Sequence, residues 1–324
     1  MTSLGREHIE ASRGDDEVER ESRSPFCGRS IRALVVTLVL VCWSNVSHAQ
    51  EALLYADWID SAEAARERGD RTAARDFYQR AFERRPALHM HALDMARTCV
   101  SLRDTSCVET YVNTALDQGV DGAAVEADSV LGGYWSSARA ESSRALWSRY
   151  LSMRIPALQA ELEAMFDADQ GIRKAIDWDK ADSPDSLVRR SVWAPIEAID
   201  AQHTARVIEI IEESGVPSVH QVGLKGNKMV FFAFIHSMDV KTITDHILAL
   251  SRSVRKGESP ACWYAFVVDR AMVKTTKETM FGTTSYLDKS DGVNYFRAVS
   301  SAYVDRLREE VGLPRMNNGK RNAY

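Results

Sequence analysis

The sequence predicts a mainly α protein, with a short helical-repeat module followed by a mostly helical domain that carries a small β-hairpin. Three observations point there. Apolar residues recur at helical spacing through residues 55–120, with small residues where two helices must approach closely. Beyond Pro156 apolar stripes at helical spacing return, several of them ending at Gly or Pro. The composition, 45% hydrophobic and 27% charged over 324 residues, suits a globular chain of about two domains. A net charge of −5 without a basic stripe gives no support to a nucleic-acid partner or to an anionic membrane surface.

Residues 1–28 are rich in Arg, Glu, Asp and Ser, a composition that cannot bury enough apolar surface to fold. Next comes "GRSIRALVVTLVLVCWSNVSHAQ". Arg29 and Arg32 supply a basic start, Ala33 to Trp43 an apolar run, and Ser47-His48-Ala49 a small-x-small cleavage site. That order predicts an export signal over residues 1–49 and a mature protein starting near Gln50, periplasmic or secreted. A bilayer span takes about 20 apolar residues. This run is shorter, so no transmembrane anchor is expected after cleavage.

Residues 50–150 form the first structural segment. "YADWIDSAEAARERGDRTAARDFYQRAFERRP" reads as two amphipathic helices joined at Gly69-Asp70. Ala62, Ala74 and Ala81 sit at the close approaches, Trp58, Phe77 and Tyr78 fill the gaps, and Pro86 ends the unit. The pattern resembles a tetratricopeptide repeat of about 34 residues. Residues 89–120 give a weaker copy, with Ala96 and Ala115 at small positions and Asp104 at the turn. Val108 and Val120 depart from the pattern. Ala123 to Tyr150 is helical in pattern, interrupted by Gly132-Gly133. Such units must stack to bury a core, so the surface either binds a protein or peptide partner or packs on the next domain.

After removal of the signal, Cys99, Cys107 and Cys262 remain. Cys99 and Cys107 fall on the two helices of one hairpin near Asp104. They are either a disulfide or two small core residues, with Cys262 left as a thiol.

Residues 151–314 form the second domain and 315–324 a flexible tail. Pro156 opens a helix through Ile176. "SPDSLVRRSVWAP" reads as a linker, after which Pro195 opens a helix to about Ser214, stopped by Gly215. "MVFFAFI", 229 to 235, is a short apolar run without a diagnostic period; helix is favoured over strand. Val240, Ile243, Ile247, Leu250 and Val254 form a clear stripe between Asp239 and Gly257. "ACWYAFVVDR" is another buried element, and "AMVKTTKETMFGTT" alternates like a small hairpin. A last helix is expected over Asn294 to Val311.

Polar residues stand inside these apolar elements: Asp169, Gln170, Arg173, His203, His236, Asp269 and Arg270. Their order resembles an uncharacterised bacterial family, the domain of unknown function "six-six-two-four". Asp169-Gln170-x-x-Arg173 matches its first motif in full. Gly215-Val216-Pro217, Ile235-His236, Asp269-Arg270, Phe281-Gly282-Thr283 and Gly312-Leu313 match in kind and order. The resemblance spans roughly 156 to 314. His203 stands where the family tends to have Asn, and Thr279 and Thr284 where it tends to have Gln.

The family implies no activity, so function rests on chemistry. Unpaired charges are costly in an apolar element, which predicts that Asp169 and Arg173 meet Asp269 and Arg270 in one network, with His236 beside it. Gln170, Gly282 and Thr283 would complete the hydrogen bonds, and His203 is a further binding candidate. Such a network either fixes the fold or serves catalysis, with His236 transferring protons and the arginines holding an anionic group. There is no G-x-S-x-G, no H-E-x-x-H and no cofactor motif. The leading reading is an exported cell-envelope scaffold that binds a protein or peptide. The alternative is a hydrolase- or lyase-like enzyme acting on an anionic substrate.

Overall fold

The computed structural model describes residues 55–288, 292–295, 297–298 and 304–313; side chains are described for 55–284 and 304–313. The segment read as an export signal and the tail from 315 onward lie outside the described residues. Among the described residues, no helix is long and apolar enough to cross a membrane.

Two helical hairpins begin the described residues: α1 (Tyr55–Glu67) with α2 (Arg71–Arg84), and α3 (His89–Ser101) with α4 (Thr105–Asp117). Each second helix starts on a capping aspartate. Asp70 accepts from the Ala73 N–H and Asp104 from the Cys107 N–H, satisfying donors that have no partner within the helix. Ala62, Ala74, Ala81, Ala96 and Ala115 are fully buried, so the helices approach as closely as a methyl group allows. Val108 is also buried where the repeat pattern favours a smaller residue. Cys99 and Cys107 form a disulfide across the second hairpin, with Cα atoms 5.8 Å apart. Cys262 is a free thiol. The short helices α5 (Gly122–Ala127) and α6 (Gly132–Trp135), a 3-10 turn, and α7 (Glu141–Leu151) close this core with Tyr134, Trp135 and Tyr150.

The second core is built on α8 (Pro156–Lys174) and, after the short α9 (Trp178–Ala181), on α10 (Ser186–Ser214) and α11 (Val219–His236). α10 corrects the expectation of a linker. Asp185 caps it at Leu187 and Val188, and the helix continues through Pro195. The proline forfeits one backbone bond. Packing holds the preceding turns in place: Trp193 lies edge-on to Trp178 and donates Nε1–H to the Ala181 carbonyl.

In α11 a capping box of Ser218 and Gln221 starts a first turn, and Gly223, at φ 71°, breaks the helix before it resumes. From Met229 to His236 every residue is buried. The apolar run is therefore a helix packed on all sides, which explains its lack of a period. Phe231 and Phe234 are wholly buried, each contributing about 2–3 kcal/mol of apolar transfer. Asn227 ties the preceding turn down, donating Nδ2–H to the Pro217 carbonyl and to Ser259.

Asp239 caps α12 (Val240–Arg255), and α13 (Ala261–Thr276) follows Pro260. The hairpin expected within residues 271–284 lies further on. Ala271 to Thr276 complete α13, because Thr275 and Thr276 turn their hydroxyls back to the Ala271 and Met272 carbonyls, which satisfies β-branched polar residues inside a helix. The antiparallel hairpin pairs β2 (Ser285–Asp288) with β3 (Gly292–Tyr295), while β1 (Glu278–Thr279) runs parallel to β4 (Arg297–Ala298). The last helix, α14 (Val304–Glu310), is accordingly shorter than its expected span from Asn294. Residues 294 and 295, expected to begin that helix, belong to a strand.

The two cores meet at a tight joint. The Ile155 N–H donates to the Gln221 carbonyl at 3.0 Å, and Tyr150 stacks on His220 at 3.8 Å. α14 returns to the first repeat, where Glu309 accepts from the Tyr55 N–H and Arg85 donates to the Glu309 carbonyl.

Candidate acid–base site

Asp169, Gln170 and Arg173 project from α8, with Arg173 one helical turn beyond Asp169. α8 packs against both α10 and α11, and those helices bring the partners. From α10, Asp200 accepts from Arg173 Nη2 at 2.7 Å and 2.9 Å, one distance to each carboxylate oxygen. From the end of α11, His236 Nδ1 lies 2.9 Å from Asp169 Oδ1. Arg173 Nη1 donates to that same Asp169 oxygen at 2.8 Å, and Gln170 Nε2 donates to the other at 2.8 Å. Asp169 is 1% exposed, Asp200 8% and His236 6%, so the charges are desolvated and need one another.

Burial by itself would raise the Asp169 carboxyl. The hydrogen bond and charge of His236, then Arg173 and Gln170, outweigh it and hold the group below the usual carboxylate range. An ionised Asp169 can only accept, so His236 donates from Nδ1; when the ring is neutral, its second nitrogen, Nε2, is the acceptor. Among the described residues, Nε2 makes no hydrogen bond to protein. His203, one turn beyond Asp200 on α10, is buried, and its Nδ1 lacks a partner among the described residues. Burial lowers its basicity.

The network differs from the one read in the sequence. Asp269 is fully buried but faces another way. It accepts from the N–H groups of Met280, Phe281 and Thr283 and from the Thr283 hydroxyl, clamping the loop that leads into β2. Full burial still raises its carboxyl above the ordinary range. Gly282, at φ 62°, lets that loop close, and Arg308 of α14 donates to the Phe281 carbonyl from the other side. Gly282 and Thr283 thus belong to a structural clamp around Asp269. Arg270 lies within electrostatic reach of Asp200 and Arg173. Successive side chains on a helix diverge by about 100°, so Asp269 and Arg270 do not both face one cluster.

The missed member is Asp200. Its signal was present: Asp200 and His203 stand three residues apart on the apolar face of α10.

Ligand atoms of Asp169, Asp200 and His236 lie within 4.8 Å of one another, close enough to gather round a cation. Both oxygens of each carboxylate already accept from Arg173, Gln170 or His236. The Arg173 guanidinium occupies the place of the cation.

Fold and site define a mainly α protein in which stacked helical hairpins join a helical domain with a buried His–Asp–Arg–Asp cluster. Residues 156–322, more than half of the chain, match the family described as Family of unknown function (DUF6624), and the chain belongs to it. No curated protein and no solved structure matches the chain.

Proposed function

We propose that the C-terminal domain is an enzyme of acid–base type, hydrolase- or lyase-like, acting on an anionic substrate. It would belong to an exported cell-envelope protein whose helical hairpins form a scaffold for a protein or peptide. The observation that carries the catalytic reading is the Asp169–His236 pair. A carboxylate fixed by Arg173 and Gln170 orients one imidazole nitrogen and leaves the other without a protein partner among the described residues. His236 Nε2 would take a proton from substrate or water, Asp169 would stabilise the imidazolium, and the proton would return to the leaving group. Export is supported by the basic, apolar and small-residue order of Arg29 to Ala49, and the Cys99–Cys107 bond suits an oxidising compartment.

A second reading has its own support. Every oxygen of Asp169 and Asp200 is hydrogen-bonded within the protein, as in a cluster that only fixes the fold. The test is turnover of a panel of anionic esters, amides and β-elimination substrates by wild type, Asp169→Asn and His236→Gln. The enzyme reading expects at least one compound to be consumed by wild type and by neither folded variant. If no compound is consumed and Asp169→Asn unfolds the domain, the cluster is a fold device and the scaffold reading stands.

A further inference from the structure

Two cations on α13 are left over once the Asp169 cluster is complete. Arg270 is 9% exposed; among the described residues its Nε has no hydrogen-bond partner and its Nη2 reaches only the Met238 sulfur at 3.9 Å. Lys274, one turn further along, donates Nζ–H to the Met238 carbonyl at 3.1 Å. Neither forms an ion pair among the described residues. The nearby carboxylates are committed elsewhere: Asp200 gives both oxygens to Arg173, and Asp239 caps α12 through the N–H groups of Lys241 and Thr242.

A buried guanidinium without a counter-ion costs several kcal/mol. Burial pushes Arg270 down to about 10, and burial reinforced by the charge of Arg270 pushes Lys274 down to about 8. Such a pair is destabilising in the protein alone and becomes favourable when an anion arrives. Met238, 58% exposed, overlies both cations in the turn between α11 and α12. It stands two residues after His236, a chain separation of at most about 7 Å.

We propose that Arg270 and Lys274 form a subsite for a phosphoryl-type dianion, bordered by Met238 and adjoining His236. Two unpaired positive charges match a dianion, whereas a carboxylate monoanion leaves one uncompensated. The planar fork of arginine and the point charge of lysine together suit tetrahedral oxygens. As the place where substrate is held, the subsite rests on the acid–base reading; as an anion site it stands separately.

The experiment is calorimetric titration of the full chain at low salt with inorganic phosphate, phenyl phosphate and acetate. Saturable binding of phosphate or phenyl phosphate at one site is expected, with acetate at least about tenfold weaker. Lys274→Gln, at a half-exposed position, should weaken binding about tenfold or more, and Arg270→Gln further still. Phosphate binding as tight as that of phenyl phosphate identifies the free ion as a ligand; binding of the ester alone identifies a phosphomonoester. The proposal is overturned if neither anion saturates wild type, if acetate equals phosphate, or if folded Lys274→Gln binds like wild type. Should Arg270→Gln fail to fold, Lys274→Gln decides.

Folded Asp169→Asn should still bind phosphate saturably, because removing a negative charge from the neighbouring cluster does not weaken an anion site; loss of binding in that variant places the anion in the Asp169 cluster and overturns the subsite. The acid–base reading fails by a different signal: an unchanged His236 titration by NMR in Asp169→Asn, with the phosphate isotherm intact.

Discussion

Arg173 binds Asp200 across 27 residues of sequence with one guanidinium nitrogen, 2.7 Å from one carboxylate oxygen and 2.9 Å from the other. Its other terminal nitrogen holds Asp169. One side chain therefore ties α8 to α10 while neutralising two buried carboxylates. Arg173→Met should leave those carboxylates facing each other, at a cost of about 3–5 kcal/mol. Urea denaturation measures this, and a loss under about 1 kcal/mol would mean that the cluster is wetter and looser than described.

His91 gives the first hairpins a pH dependence. Burial pushes its imidazole down to about 4, and Nδ1 sits 2.8 Å from the Tyr55 hydroxyl. The folded pKa lies below the unfolded one, so the unfolded chain binds more protons through that window. Stability should fall as pH drops from about 6.5 toward 4 and should change little from this group below that. Burial lowers His89 and His203 too, and they add to the same slope. Denaturation midpoints at pH 7 and pH 5 test it: His91→Gln should narrow the gap, and an unaltered gap would contradict the assignment.

The Cys99–Cys107 bond closes a loop with a sequence separation of 8. Restricting the unfolded chain over that length is worth about 2.5 kcal/mol. Cys99→Ala with Cys107→Ala should lower stability by roughly that amount, and reductant should destabilise wild type but leave the double variant unchanged. Mass spectrometry finding both thiols free in the isolated protein would remove the basis for this expectation.

Gly119 sits at the joint of the two cores with φ 89°, and an added Cβ would lie 2.6 Å from Val219 Cβ. Gly119→Ala therefore combines backbone strain with overlap and should cost about 2–4 kcal/mol. Thermal unfolding followed in both halves is the measure. A neutral result would show that the joint yields easily.

The sequence by itself determined what depends on neighbours within one or two turns. The Asp70 and Asp104 turns, the Asp239 cap, the Gly215 and Gly257 stops, the small residues of the first hairpins and the stripe of α12 are all local patterns, and each marks an element of the structure. Where a local signal was ambiguous, packing decided. Pro195 ends nothing because Trp193 and Trp178 hold the helix in front of it. Thr275 and Thr276 stay helical because their hydroxyls find carbonyls. The candidate site was legible only as a set of polar residues on apolar faces; which charge meets which was not. Asp169 and Arg173 announced a buried pair, but their partners came from α10 and α11, and Asp269 turned to its own loop. The partner of a buried charge is fixed by which helices pack together and by the 100° that separates successive side chains, and only the tertiary structure sets the two together.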